Sequence, residues 1–261
     1  MRAIQSTAAA IALSFAATGS ASASAVYHNL SGGTFSQNWT DSSQITTTDD
    51  WSGVPSIIGY RGDDLTAATG TDPQTIVAFS GSPAGAVVDV NANQTSPDTF
   101  TTGGVSEFEI TDPVVAMQGS GTADAPFLLF HVNTAGMENV TISYNLRDVD
   151  GSTDNAVQPF ALQYRIGETG DFTNVASAFV ADASAGPSTA TLVTPVSATD
   201  VAWADVSQLQ LRVITTNAVG SDENVGVDDI VIAGTVIVPE PTALAGLGLA
   251  ALAMLRRRRS H

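Results

Sequence analysis

Strict alternation of apolar and polar positions runs through the middle of this chain. Val140, Ile142, Tyr144 and Leu146 are interleaved with Thr141, Ser143, Asn145 and Arg147, the period-two signature of a strand with one face in a core and the other toward solvent. Phe160, Leu162, Tyr164 and Ile166 repeat it around Ala161, Gln163 and Arg165, and Leu209, Leu211 and Val213 around Gln210 and Arg212. Shorter runs predict further strands at 75–79, 86–90, 105–110, 127–132, 190–194 and 225–233. Turn clusters such as Asp148-Val149-Asp150-Gly151-Ser152 and Gly167-Glu168-Thr169-Gly170-Asp171 separate them. Many short strands without a long amphipathic helix predict an all-β fold, an antiparallel β-sandwich of jelly-roll type over 26–236.

The two ends break the pattern. Arg2, an apolar stretch from Ala8 to Ala17 and the small residues Ala21-Ser22-Ala23 or Ala23-Ser24-Ala25 predict a helical secretory signal peptide over 1–25, with the mature chain starting near Ser24 or Val26. At the other end Pro239-Glu240-Pro241 precedes an apolar run of 14 residues, Thr242 to Leu255, and then Arg256, Arg257, Arg258 and Arg259. A helix of that length covers about 21 Å of a hydrocarbon core about 30 Å thick. It is short for a permanent span but suits a transient anchor, with the arginines on the cytoplasmic side. Gly246 and Gly248 weaken it as a soluble helix by roughly 1 kcal/mol each.

The triplet, the run and the arginines together resemble the PEP-CTERM sorting signal of Gram-negative bacteria. The resemblance implies that segment 237–261 is recognised and cleaved by a membrane-embedded exosortase. The expected partners are then the exosortase and the export machinery, and the expected location is the cell surface or extracellular matrix. The blocks 145–151, 161–167, 172–175, 212–218 and 227–230 resemble a β-sandwich module of PEP-CTERM surface proteins, also an accessory domain of large secreted nucleases. No nuclease domain follows here, so the resemblance implies the accessory role without the catalytic one. Segments 35–39, 49–56 and 59–63 look like the opening of the same kind of sandwich.

Charge narrows the partners. The formal net charge is −17, with nine basic residues against 26 acidic ones and every basic residue an arginine. Five of the nine, Arg2 and Arg256 to Arg259, fall in the terminal segments, leaving Arg61, Arg147, Arg165 and Arg212. Such a surface repels phosphates, so direct nucleic-acid binding is not expected. It favours solubility in saline water and attracts divalent cations. The absence of cysteine excludes thiol nucleophiles, iron–sulfur clusters and cysteine zinc sites.

Candidate chemistry is thin. Histidine occurs only at 28, 131 and 261, and there is no G-x-S-x-G, H-E-x-x-H or P-loop motif. A non-enzymatic protein is expected, acting in adhesion or biofilm structure. His131, in an apolar run, reads as structural. Glu107 and Glu109 share a strand face and are the obvious carboxylate pair for a glycoside hydrolase, but their spacing equally describes a solvated face. Hard oxygen ligands at short spacing suit Ca²⁺, and the candidates are Asp148, Asp150 and Asp154 in the Gly151 loop and Asp228 or Asp229 near the last strand. The loop lacks the twelfth-position glutamate of an EF-hand, and a plain acidic turn is the competing reading. A lectin-like module that binds extracellular polysaccharide would stack sugars on exposed aromatics, for which Trp39, Trp51, Tyr60 and Trp203 are the candidates against an ordinary core role. Arg61-Gly62-Asp63 looks like an integrin ligand, and turn formation by Gly62 explains it as well.

Overall fold

The alternating segments become the long interior strands of two sheets. The computed structural model describes residues 26–78, 87–153, 156–184 and 192–238, so the signal segment, residues 239–261 of the sorting segment and Asp154 lie outside the described residues. Among the described residues the elements are strands and short 3-10 turns, with no α-helix. The strands are β1 (His28–Asn29), β2 (Phe35–Gln37), β3 (Ile57–Tyr60), β4 (Asn91–Gln94), β5 (Gly104–Phe108), β6 (Val114–Gln118) and β7 (Phe127–Asn133). They continue with β8 (Met137–Asp148), β9 (Ala161–Ile166), β10 (Thr173–Asn174), β11 (Val193–Thr199), β12 (Leu209–Ile214) and β13 (Val225–Val236).

One sheet has the order β1-β7-β12-β9-β10, with β3 also on β7; the other runs β11-β8-β13-β6-β5-β4, with β2 on β13. Both contribute to a single hydrophobic core, which makes the molecule a β-sandwich. From β7 onward the chain crosses repeatedly between the sheets. The pairing is mostly antiparallel, but β1 lies parallel to β7 and β4 parallel to β5, so both sheets are mixed. Period-two patterns carry no directional information, and β1 reaches β7 from far away in sequence, where no hairpin dictates its sense.

Three expectations are corrected. The run at 75–79 begins as a 3-10 turn, Pro73–Thr75, because Asp72 accepts a hydrogen bond from the Gln74 amide at 2.9 Å and proline starts the turn. Around residue 88 the predicted strand shrinks to one bridge, Tyr60 to Val88. The polar sides of β9 and β12 are buried: Gln163, Arg165, Gln210 and Arg212 are 0%, 5%, 4% and 0% exposed. Register places Arg165, Gln210 and His131 on one face, with Gln163, Arg212 and Leu129 beside them.

The 3-10 turn Pro73–Thr75 and the coil that follows it to Ala78, together with Phe172 and Tyr27, cover that face. Arg212 donates to Ile76 O at 2.5 Å, Ala78 O at 3.1 Å and Gln163 Oε1, the last from Nε at 2.8 Å. Its guanidinium carbon sits 4.0 Å from the Phe172 ring centroid and 5.2 Å from that of Phe127. Burial pulls Arg212 down to about 9, and Arg165 nearby pushes the same way; the group stays charged at neutral pH. Tyr27 packs edge-on to His131, with centroids 5.2 Å apart, and accepts from Gln210 Nε2 at 3.1 Å.

Candidate functional site

At one end of the sandwich four loops enclose a cleft of about 340 Å³. Its walls come from the turn after β4 (Asp98, Phe100), the end of β6 (Gln118), the loop after β8 (Asp150, Ser152) and the β12–β13 connection (Asn217, Asp222). Local hydrogen bonds hold each wall. Asp98 Oδ1 accepts from the Gly151 amide at 2.8 Å and so ties the first loop to the third. Asp150 Oδ1 accepts from Ser152 N at 2.9 Å, and Asp222 Oδ1 from Ala218 N at 2.6 Å. Asn224, wholly buried, donates to Pro97 O and Phe100 O, both at 3.2 Å, fastening the Phe100 turn to β13.

Gly119 is where two walls touch. A Cβ there would lie 2.4 Å from the Asn217 Cα, so only glycine lets the loops close on each other. Gln118 is 7% exposed, and its Nε2 donates to Asp222 O at 2.7 Å. That bond fixes which end of the amide is which. Oε1 is then left buried without a hydrogen-bond partner among the described residues. Burial raises the Asp222 carboxyl to about 6, against the opposing pull of the Ala218 amide. The cleft thus presents fixed carboxylates, amides, hydroxyls and one half-buried ring, Phe100.

The expected site residues are placed as follows. Trp39, Trp51 and Trp203 are core residues, 3%, 5% and 0% exposed, so none offers a ring face to a sugar. Large apolar rings gain most between the sheets: Trp39 Nε1 donates to Val227 O at 2.7 Å and Trp51 Nε1 to Asp89 O at 3.1 Å. Tyr60 is likewise buried, stacked on Phe127. Asp148 and Asp150 are both buried, and Asp148 Oδ1 accepts from the Asp150 amide at 3.2 Å. Asp228 faces Arg147 at 2.5 Å, and Asp229, at φ 49° in a bulge, accepts from Asn145 Nδ2 at 2.9 Å. Among the described residues no group of three or more histidine or acidic side chains is arranged to hold a metal ion.

Glu107 is not part of a solvated face. It is 3% exposed and accepts from the Asn93 amide at 2.7 Å, whereas Glu109 is exposed. His131 is 2% exposed, and burial lowers it to about 4, so it is neutral. In Arg61-Gly62-Asp63 the arginine is paired bidentately to its own aspartate, at 2.6 and 2.5 Å. Gly62 has φ 71° and packs against Ala125; the triplet is a closed turn.

Sequence reasoning did not single out Asp98, Phe100, Gln118 or Asn217. Asp222 belongs to the acidic stretch 222–229 and Asp150 to a turn cluster, and these were the signals in the sequence for two walls of the cleft.

No family model and no curated protein matches the chain. Among solved structures it is similar to the carbohydrate-binding module TmCBM61 in complex with β-1,4-galactotriose, at 10% identity and TM-score 0.32, over 49% of this chain and 74% of that one. It is similar also to CBM28, a carbohydrate-binding module specific for non-crystalline cellulose, at 12% identity and TM-score 0.35, over 64% and 95% of the two chains. A third similarity is to the enzymatically active domain of tailspike protein 4 of bacteriophage CBA120, at 6% identity and TM-score 0.32, over 52% of this chain and 18% of that one.

Proposed function

We propose that this protein is an exported β-sandwich that binds polysaccharide in the cleft at its loop end, without turning it over, and that it serves attachment at the cell surface or in the extracellular matrix. The observation that carries the reading is the lining of the cleft. A sugar offers hydroxyls around an apolar ring of C–H groups. Asp98, Asp150, Asp222, Gln118 and Asn217 answer the hydroxyls, and Phe100 answers the ring. Because backbone amides already hold the three carboxylates, little ordering is needed when a ligand enters.

We read the sandwich as a jelly roll. The strand orders β6-β13-β8-β11 and β7-β12-β9-β10, with consecutive strands from β6 to β9 in alternate sheets, support it. The export route rests on the terminal sequences alone: a signal peptide over 1–25 and exosortase processing at 237–261. Among the described residues no helix is long and apolar enough to cross a membrane.

The test of binding is a glycan array probed with the purified chain, followed by titration calorimetry on the hits. Asn217→Ala, which removes a cleft amide, is expected to weaken a hit at least about tenfold, the equivalent of 1.4 kcal/mol. No glycan bound at millimolar concentration, or binding indifferent to that change, overturns the reading. The mass of the mature protein from its host tests the route: loss of both terminal segments is expected, and retention of the C-terminal tail overturns it.

A further inference from the structure

Building on the saccharide-binding reading, we infer that the cleft selects a cationic glycan, an oligosaccharide of amino sugars that carry free amines, over neutral and acidic ones. Three carboxylates, Asp98, Asp150 and Asp222, face one cleft, and no basic residue lines it among the described residues. The chain contains no lysine to swing in. Arg147 is committed elsewhere, to Asp228 at 2.5 Å and Asp112 at 3.0 Å. Nor can the carboxylates turn away, since each accepts a backbone N–H.

The independent observation is Gln118. Its amide nitrogen is held by Asp222 O, and its Oε1, buried in the same wall, lacks a donor among the described residues. The wall therefore combines three carboxylates with one unmatched, solvent-shielded acceptor. An ammonium brings three donors and a positive charge to such a site, where a hydroxyl brings one donor and no charge. A carboxylated or sulfated glycan would bring further acceptors and like charge into a confined space, where screening by solvent is weakest.

The experiment titrates the purified chain near neutral pH with three oligosaccharides of equal length: a glucosamine tetramer, its fully N-acetylated counterpart and a galacturonate tetramer. The glucosamine tetramer is expected to bind at least about tenfold more tightly than the acetylated one at low salt, with the advantage shrinking as salt rises, and the galacturonate not at all. Asp98→Asn combined with Asp222→Asn should abolish that advantage, while Asp98→Asn alone, which keeps an acceptor for the Gly151 amide, should reduce it. Glu138→Gln combined with Asp171→Asn removes the same charge from exposed positions away from the cleft and should leave it intact. Equal affinity for the charged and acetylated tetramers overturns the selectivity and spares the saccharide reading. An equal loss in the exposed-site control shows that bulk charge is responsible and also overturns the selectivity. Failure of all three sugars to bind overturns the selectivity, while the saccharide reading itself stands or falls with the glycan array.

Discussion

Replacing Arg212 by methionine tests the covered polar face of the first sheet. Methionine keeps most of the apolar stem and removes every donor. Ile76 O retains a bond from Gln163 Nε2 at 3.2 Å. Gln163 Oε1 and Ala78 O lose theirs. The orphaned buried acceptor, Gln163 Oε1, costs about 1–3 kcal/mol, whereas Ala78 is exposed and its carbonyl can turn to water; the lost cation–π contacts with Phe172 and Phe127 add about 1 kcal/mol. Against this, the desolvation cost of a wholly buried guanidinium disappears. The partners left behind are dipoles rather than charges, so the net should fall below the 3–5 kcal/mol of a broken buried ion pair, at about 2–3 kcal/mol. For a domain of this size that is a fall in Tm of roughly 5–10 °C. The assay is urea unfolding at neutral pH followed by tryptophan fluorescence, since Trp39, Trp51 and Trp203 are all buried. Arg212→Lys, which keeps the charge without the planar fork, should lose at least as much. A methionine variant within about 0.5 kcal/mol of the parent, or more stable, would refute the reasoning.

Asp89 should give an inverted pH dependence. It is held at about 6 by burial, with Asp49 and Asp63 pushing the same way and the Val105 amide and Arg61 opposing, whereas an unfolded aspartate titrates near 3.9. Between those values the folded chain binds a proton that the unfolded chain lacks, so stability falls as pH rises from about 4 to 6. Asp89→Asn is expected to gain on the order of 2 kcal/mol over the parent above pH 7 and nothing near pH 4; a gain that does not vary with pH between those limits sinks the argument. Gly62→Ala places a Cβ 1.8 Å from Ala125 O at φ 71°, and differential scanning calorimetry should show a loss of more than about 2 kcal/mol. Trp39→Phe strips the bond to Val227 O and should cost about 2 kcal/mol through the orphaned carbonyl and lost packing, to be read from denaturant midpoints.

Alternation made β8, β9 and β12 legible from sequence, because a half-buried strand must repeat every second residue. It could not say which face is wet. Gln163, Arg165, Gln210 and Arg212 look like a solvent face, yet Gln163 and Arg212 donate to carbonyls of segment 73–78, the ring of Phe172 covers both arginines, Arg165 donates to Gly170 O, and Gln210 bonds to Arg165 and Tyr27. β6 was missed because Val114, Val115, Ala116 and Met117 are all buried and show no period. β3 escaped because it is four residues long and interrupted by Gly59, whose missing side chain makes room for Trp51. The cleft was illegible for another reason. Asp98, Gln118, Asp150 and Asn217 are far apart in the chain and meet only through the crossing of strands between sheets.

The position of β13 bears on how this chain matures. It pairs with β2, β6 and β8, so the middle of the second sheet is filled by the strand made last among those described. Until Val225–Val236 has emerged, that sheet is two halves with an open gap, and the pairings of β13 with β2, β6 and β8 are all long-range and slow to close. A chain made N-terminus first therefore keeps the backbone edges of β6 and β8 open over that gap until the last of the described strands is available to both.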